Sequence, residues 1–230
     1  MKNVLLYSLL LMTLSACQSQ KKEVNRITDF NFDWKFSLTE KANSLEVLEE
    51  SFTDTNWQTV NLPHDWVVEN APDSTVQFFQ GTGRIPSQGI GWYRKKFLTP
   101  IDENEKCFVH FDGIYNNATV WVNGQKLGFH PYGYSPFYYD LTEYLHRDGM
   151  ENVLVVQVDH SRYADSRWYT GAGIYRNVEL VTTSKLHVPI WGTFVTTPEV
   201  SADLATVQTE ITIENHFEKV QNGIVKTIIV

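Results

Sequence analysis

The chain has 230 residues, enough for one large hydrophobic core, or for one core and part of another. Its formal net charge is −8, and because an acidic surface repels phosphate backbones, no nucleic-acid partner is expected. Aromatic residues make up 13% of the chain, which suits either a sandwich core or a sugar-binding surface, and composition does not decide between these two.

The first sixteen residues have the pattern of an export signal. Lys2 precedes an apolar run that is too short to span a bilayer comfortably, and small residues follow. Leu14-Ser15-Ala16-Cys17 also resembles a bacterial lipobox, which implies a lipid on Cys17. We therefore expect a lipoprotein signal peptide over 1–16, a polar tether over 17–27, and an exported protein anchored to a membrane, in the periplasm or at the outer membrane or cell surface. An ordinary signal with a chance cysteine is the alternative.

Beyond the tether, period-two alternation in short segments predicts strands, and helical periodicity is nearly absent. The clearest predicted strands cover 92–98, 107–112, 118–122, 153–158 and 174–181. Asn123-Gly124 predicts a tight hairpin with a return strand over 126–129. Asp140, with Glu143 three residues later, predicts the start of a short helix. This pattern predicts an all-β fold, an antiparallel β-sandwich of the jelly-roll kind.

The strand pattern restarts after Thr183-Ser184. Predicted strands over 188–195, 205–215 and 223–230 number about three, whereas a sandwich needs roughly seven. We interpret this tail as a second sandwich that is cut short, and we expect the sequence to be a piece of a longer protein. Alternatively, these strands cover an edge of the first domain.

A glycine pair, Gly171-Ala172-Gly173, stands before the strand predicted over 174–181. A dinucleotide-binding fingerprint would need a third glycine where Arg176 stands, followed by a helix, so a phosphate site is excluded. The pair instead predicts a backbone with unusual dihedral angles, or one packed closely against a neighbouring ring.

Several motifs, taken together and in order, resemble the N-terminal sugar-binding domain of glycoside hydrolase family 2, which includes bacterial β-galactosidases, β-glucuronidases and β-mannosidases. They are N-L-P-H-D-W (61–66), G-I-G-W-Y-R-K-K-F (89–97), F-D-G-I (111–114), A-T-V-W-V-N-G (118–124), Y-S-P-F (134–137), D-L-T (140–142), N-V-L-V-V-Q-V-D (152–159) and D-S-R-W-Y-T-G-A-G-I-Y-R-N-V-E-L (165–180). The resemblance implies a galactose-binding-like jelly roll over 28–184, followed by a truncated immunoglobulin-like β-sandwich over 185–230.

The resemblance further implies the N-terminal part of a retaining β-glycosidase, foremost of β-galactosidase type, that acts on a β-linked oligosaccharide or glycoside. Retaining enzymes use two closely spaced carboxylates, and in this family both are glutamates on a barrel that this sequence lacks. Asn104-Glu105 is similar to the family's acid/base dipeptide but lies in a polar linker, so no catalytic residue is assigned. We expect no hydrolysis by this chain alone, no metal and no cofactor. A stand-alone carbohydrate-binding module and a purely structural sandwich are the alternatives.

Candidate substrate-binding residues follow from the resemblance, because loops of this domain help to hold the terminal sugar in the family. Asp165 is the nearest match to an acidic residue that contacts sugar hydroxyls, although its offset differs by one. It could equally pair with Arg162 or Arg167. Arg167 and Trp168 are expected to flank the same pocket, although Trp168 could be a core residue instead. Gln80 and Arg84, in the long segment 69–90, suit a pocket rim.

Four other patterns have simpler explanations. His64-Asp65 is not a catalytic dyad if it lies in an extended strand, because neighbouring side chains then point to opposite faces. Asn117-Ala118-Thr119 fits a glycosylation acceptor, but the lipobox-like segment implies a bacterium, where this motif carries little weight. Cys107 is predicted to be a small buried residue without a disulfide partner. Four histidines lack the spacing of a zinc site: His110, His130, His160 and His187.

Overall fold

The structure, a computed structural model, describes residues 26–39, 45–69, 88–99, 101–162 and 169–228. Regular secondary structure in these residues is β-strand, apart from 3-10 helices at Leu45–Leu48 and Thr142–Tyr144. The strands are β1 (Ile27–Asp29), β2 (Trp34–Thr39), β3 (Gln58–Val60), β4 (Gly89–Phe97), β5 (Glu105–Phe111), β6 (Ala118–Val122), β7 (Gln125–His130), β8 (Phe137–Asp140), β9 (Asn152–His160), β10 (Val178–Ser184), β11 (Leu186–His187), β12 (Thr193–Val200), β13 (Ala205–Ile211) and β14 (Glu214–Asn215).

Ten of these strands form two antiparallel sheets. The larger sheet has the order β3-β2-β4-β9-β6-β7, and the smaller has the order β1-β10-β5-β8. Their facing sides share one hydrophobic core, in which Trp34 of β2, Tyr93 of β4 and Phe111 of β5 are fully buried. The predicted all-β antiparallel sandwich is confirmed.

Strand β9 shows how the alternation places side chains on two faces of the larger sheet. Leu154, Val156 and Val158 join the core between the sheets. The intervening Val153 and Val155 lie in a second cluster on the outer face, which the 3-10 helix Leu45–Leu48 covers. Both faces are therefore buried, which explains why β9 reads as an almost continuous apolar run.

The predicted hairpin at Asn123-Gly124 is confirmed. Both residues have positive φ angles, 46° and 77°, as a two-residue turn of the primed type requires. The return strand is β7, which pairs with β6 across the turn. The short helix predicted near Asp140 is a 3-10 turn, and the Asp140 carboxylate accepts a 2.9 Å hydrogen bond from the N–H of Thr142.

Cys107 lies in β5 and is fully buried, as predicted. Burial raises the pKa of its thiol to about 12, so the side chain behaves as an apolar filler. Among the described residues, no helix is long and apolar enough to cross a membrane.

Three predicted strands are wrong in whole or in part. The strand predicted over 188–195 begins only at Thr193, because the residues before it form a turn in which the N–H of Gly192 donates to the carbonyl of Pro189 at 2.9 Å. The strand predicted over 174–181 begins only at Val178, because the backbone of 172–174 is hydrogen-bonded to loops instead of to a sheet. Residues 223–228 were predicted to start the last strand, and they form no strand. Apolar alternation there has no described partner strand to pair with, and a strand requires one.

After β10, two small two-stranded sheets follow, β11-β14 and β12-β13. Their strands pair with one another and, within the described ranges, with no strand of the sandwich. Two of the described rings contact the sandwich. Trp191 lies 5.8 Å from the ring of His110 and 5.3 Å from that of Tyr138, and His187 lies 5.9 Å from that of Phe108. Arg26 also donates a hydrogen bond of 2.6 Å to the carbonyl of Val188.

Candidate functional site

Two motifs that are far apart in the sequence, residues 61–66 and the segment from Tyr169 onward, meet beside the start of β10. The N–H of His64 donates to the carbonyl of Ile174 at 2.8 Å, and the N–H of Trp66 donates to that of Ala172 at 3.1 Å. On the other side, Gly173 exchanges two backbone hydrogen bonds with Tyr115, of 2.8 and 2.9 Å. Residues 172–174 are therefore fixed between two loops.

The carboxylate of Asp65 organises this junction. Its Oδ1 accepts hydrogen bonds of 2.9 Å from the backbone N–H groups of Val67 and Ala172. Its Oδ2 accepts one of 2.6 Å from the phenol of Tyr169. Burial, together with this hydrogen bond, raises the pKa of Tyr169, so the phenol stays a donor. Asp65 thus positions Tyr169, the residue that directly follows Trp168.

The glycine pair is explained by the same junction. Gly171 has a φ of +67°, and a Cβ there would lie 2.5 Å from Oδ2 of Asp65. Gly173 has a φ of +130°, and a Cβ there would lie 2.5 Å from both the carbonyl oxygen of His64 and the phenol oxygen of Tyr93. The prediction of unusual dihedral angles and close packing is confirmed.

His64 and Asp65 face different partners. Nδ1 of His64 lies 2.7 Å from the phenol of Tyr93, and Nε2 lies 3.3 Å from the carboxylate of Glu69. Burial lowers the pKa of His64 and raises that of Tyr93 well above its ordinary value, so both are neutral at pH 7. The conclusion that the two residues form no dyad is confirmed, but residues 61–65 form no strand, so the expected reason was wrong.

Beside this junction, a depression of about 770 Å³ opens at one end of the larger sheet. This volume falls in the range that small-molecule sites occupy. It lies where β9 ends, β4 begins and the loop before β6 crosses. Its walls are mainly amides, a hydroxyl and a guanidinium: Gln88, Asn116, Asn117, Pro131, His160, Ser161 and Arg162.

The loop before β6 is held in a turn that only a few residue types adopt readily. Asn117 has a φ of +49°, and its Nδ2 donates to the carbonyl of Asp159 at 3.1 Å and to Oδ1 of Asn116 at 3.2 Å. This arrangement ties the loop to the end of β9. The side-chain amide of Asn117, which the glycosylation motif would use as its acceptor, therefore has a structural role in the wall of the depression.

A row of aromatic rings leads away from the depression. The ring of His160 lies 5.5 Å from that of Tyr115, which lies 5.3 Å from that of Tyr134, and Tyr132 follows at 5.7 Å. Tyr132 and Tyr134 are exposed, at 59% and 47%. Flat apolar faces with polar edges, next to amide and guanidinium groups, can contact both the faces and the hydroxyls of a sugar.

The predicted substrate-binding residues Asp165, Arg167, Trp168, Gln80 and Arg84 lie outside the described residues, as does the predicted lipidation site Cys17. Two residues of the depression directly adjoin these segments in the sequence. Gln88 follows 70–87, which contain Gln80 and Arg84, and Arg162 precedes 163–168, which contain Asp165, Arg167 and Trp168. The roles of all these candidate residues stay predictions.

Sequence reasoning missed the described walls of the depression as a set. His160 was considered only as a metal ligand, Asn117 only as a glycosylation acceptor, and Arg162 only as a partner of Asp165. These residues could have been found from their positions in the sequence. Gln88, Asn116 and His160 stand at or near the ends of strands, and antiparallel pairing brings these ends to the same end of the sheet.

The dipeptide Asn104-Glu105 lies only partly in the predicted linker, because Glu105 belongs to a strand. Asn104 lies in a turn, and Glu105 starts β5, where its Oε2 accepts a 2.9 Å hydrogen bond from the N–H of Asp102. Among the four histidines, His187 alone lies in a described group that could hold a metal ion, with Glu214 and His216.

These features define a β-sandwich with a polar, ligand-sized depression at a sheet end. The chain belongs to glycosyl hydrolases family 2, since the family's sugar binding domain matches residues 27–184.

Similar proteins agree with this assignment. The chain is 42% identical to Beta-galactosidase BoGH2A of Bacteroides ovatus over 211 residues, which cover 91% of the chain and 24% of the relative. It is 36% identical to a putative beta-glucuronidase of Formosa agariphila, over 86% of the chain and 19% of the relative. The crystal structure of a beta-glycosidase from Bacteroides vulgatus matches with a TM-score of 0.74 and 38% identity, over 84% of this chain and 25% of that one. The chain thus spans about a quarter or less of the length of these relatives.

Proposed function

We propose that this chain is the N-terminal, sugar-binding part of an exported retaining β-glycosidase, of β-galactosidase type. The observation that carries the proposal is the 42% identity to a β-galactosidase over 91% of the chain. A beta-glucuronidase from the same family, 31% identical, has a TM-score of 0.72, so a uronic acid is the second candidate sugar.

The depression gives the domain its role in this proposal. Asn116 and Asn117 offer amide groups, Ser161 a hydroxyl, and Arg162 an exposed guanidinium. Such groups bind the hydroxyls of a sugar, and the guanidinium would also bind a carboxylate. Asp165 follows Arg162 by three residues and would add the carboxylate that accepts from two adjacent hydroxyls. Arg167, Trp168, Gln80 and Arg84 would complete the rim.

Bond cleavage is assigned to residues outside this chain. Retaining glycosidases need two carboxyl groups about 5–5.5 Å apart across the scissile bond. None of the described residues that line the depression carries a carboxylate. The domain would therefore orient the sugar, while two glutamates of a barrel domain act as nucleophile and acid/base.

Purified mature chain 17–230 should not turn over nitrophenyl β-galactoside or β-glucuronide. In the longer gene product, Asp165→Asn should lower kcat/KM for the galactoside by about 10- to 150-fold, the loss expected when a charged hydrogen-bond partner of a hydroxyl is removed. Asp203→Asn, at an exposed turn between β12 and β13, is the matched control and should leave kcat/KM unchanged.

Hydrolysis by the chain alone, or an Asp165→Asn enzyme with the kcat/KM of wild type, would contradict this proposal. Adjoining gene sequence without a barrel carrying two glutamates would favour the stand-alone binding module.

Export and anchoring rest on the first seventeen residues. We propose that Cys17 is acylated after removal of 1–16, and that 17–27 holds the sandwich off the membrane. The lipobox-like Leu14-Ser15-Ala16-Cys17 supports this proposal.

A further inference from the structure

A group of two histidines and one glutamate lies outside the depression, where β11 pairs with β14. His187 and Glu214 are direct cross-strand partners, and His216 follows Glu214 by two residues. Because side chains alternate along an extended chain, Glu214 and His216 point to the same face, which His187 shares across the ladder.

The distances within this group suit a shared ion. Nε2 of His216 lies 2.9 Å from Oε2 of Glu214, and Nε2 of His187 lies 3.9 Å from the same oxygen. One ligand atom from each residue lies within 4.8 Å of the others.

His187 gives an independent reason to expect a ligand here. Its side chain is only 5% exposed, and neither ring nitrogen has a hydrogen-bond partner at ordinary distance and angle among the described residues, although the backbone of Ser184 lies close enough to act on its pKa. Buried polar atoms without partners are unfavourable, and those that persist in a fold point to a missing ion or water. Its Nε2 is aimed at Glu214.

We propose that His187, Glu214 and His216 bind a divalent transition metal ion, with Zn²⁺ as the best match, and that this ion clips β11 to β14. Two imidazoles and one carboxylate are a known three-ligand set for zinc, with water in the fourth position. Imidazole nitrogens disfavour Mg²⁺ and Ca²⁺, which prefer oxygen ligands.

Only small movements separate the observed geometry from a zinc site. At bond lengths of about 2.0–2.1 Å, tetrahedral ligand atoms lie roughly 3.3 Å apart. The separation of 3.9 Å must therefore shrink, and that of 2.9 Å must grow, by about half an ångström. The third separation, between the two histidine nitrogens, lies within 4.8 Å and must shrink by up to about 1.5 Å. The rings of His187 and His216 are stacked at 5.7 Å, so His216 must turn its ring to make both Nε2 atoms converge. His216 is 39% exposed and free of the core, which permits this rotation.

The charges next to this group act on a dication in opposite directions. Burial lowers the pKa of His187, which leaves a neutral imidazole at pH 7. The positive charge of Arg26 also lowers the pKa of His187, and this charge would repel a metal ion. The negative charge of Glu214 would attract the metal ion. The β11-β14 ladder holds only two residue pairs, so a metal bridge would add a constraint that the ladder lacks.

The test uses the full, tag-free chain, freed of metal by chelation and titrated with ZnCl₂ in a calorimeter and in thermal unfolding. Wild type should bind one Zn²⁺ that is lost in His216→Ala and Glu214→Gln. At a hundredfold excess over Kd, zinc should multiply the folded-to-unfolded ratio about a hundredfold, which raises Tm by about 5–10 °C. Co²⁺ in place of Zn²⁺ should give the visible absorption of a tetrahedral site in wild type only.

His146→Ala is the matched control. Its Nε2 makes a 2.8 Å pair with Glu50, but the described structure offers this pair no third ligand. It should keep wild-type zinc affinity. Equal zinc binding by wild type and His216→Ala, or a Tm that zinc does not raise, would overturn the proposal. The proposal would also be overturned if the Tm difference between wild type and His216→Ala were the same with and without zinc, because His216 would then stabilise the fold without binding a metal ion.

Discussion

Replacing Gly173 by alanine tests whether the junction between residues 61–66 and the segment from Tyr169 onward is as tightly packed as its geometry indicates. A Cβ at this position would lie 2.5 Å from the carbonyl oxygen of His64 and from the phenol oxygen of Tyr93. Neither can yield easily, because the backbone of His64 is hydrogen-bonded to Ile174 and Tyr93 is fully buried.

Two costs add for this substitution. A positive φ costs a non-glycine residue about 1–2 kcal/mol. Overpacking against fixed atoms adds about 1–3 kcal/mol. Gly173→Ala should therefore lower the free energy of unfolding by about 2–5 kcal/mol and Tm by on the order of 10 °C.

Gly149→Ala is the control that separates these two costs. Gly149 also has a positive φ, of +84°, but a Cβ there would meet nothing within 4 Å. Urea denaturation should show a loss of only about 1–2 kcal/mol for this variant. If both variants lose the same stability within about 0.5 kcal/mol, the inferred clash at Gly173 is wrong.

Three further predictions follow from other residues. Asp65→Ala leaves the N–H groups of Val67 and Ala172 without their acceptor. Urea denaturation should therefore show a loss of unfolding free energy about 3 kcal/mol greater than that of the control Asp29→Ala, which removes a single exposed hydrogen bond from Asn31. Equal losses of unfolding free energy in the two variants would refute the role of Asp65. Burial alone would raise the pKa of Asp140, but hydrogen bonds from Lys106 and Thr142 outweigh burial and lower this pKa below 3.8. The Asp140 carboxylate therefore stabilises the fold above pH 3.8, and this stabilisation is lost as the pH falls through the pKa of the folded state. Asp140→Asn should flatten the dependence of unfolding free energy on pH below about 4, and a profile parallel to that of wild type would contradict this. Cys17→Ser should abolish fatty-acid labelling and membrane retention in a bacterial host, whereas an unlabelled wild-type chain would favour the ordinary signal peptide.

Local alternation was sufficient to predict most of the sandwich. Strand β9 alternates between two buried faces, and Asn123-Gly124 encodes its turn in two residues, so both were visible in a single sequence. The irregular stretch before Val178 was not visible, because its conformation depends on His64 and Tyr115, whose hydrogen bonds override the local preference for a strand.

The candidate site was less accessible to sequence reasoning for the same reason. Asp65 and Tyr169 are 104 residues apart, and nothing near either residue reveals their hydrogen bond. The walls of the depression come from four separate strand ends, and only the pairing of β4, β9, β6 and β7 brings them together. The group His187, Glu214 and His216 likewise exists only through the register of β11 and β14.

The most direct test of a sugar site at the end of the larger sheet is the thermal unfolding of the full chain with increasing galactose, in wild type and in Arg162→Ala. At ten times its Kd, the sugar should multiply the folded-to-unfolded ratio about elevenfold and raise the Tm of wild type by about 3–5 °C, with a smaller rise in the variant. No rise in wild type, or the same rise in both proteins, would contradict a sugar site at this depression.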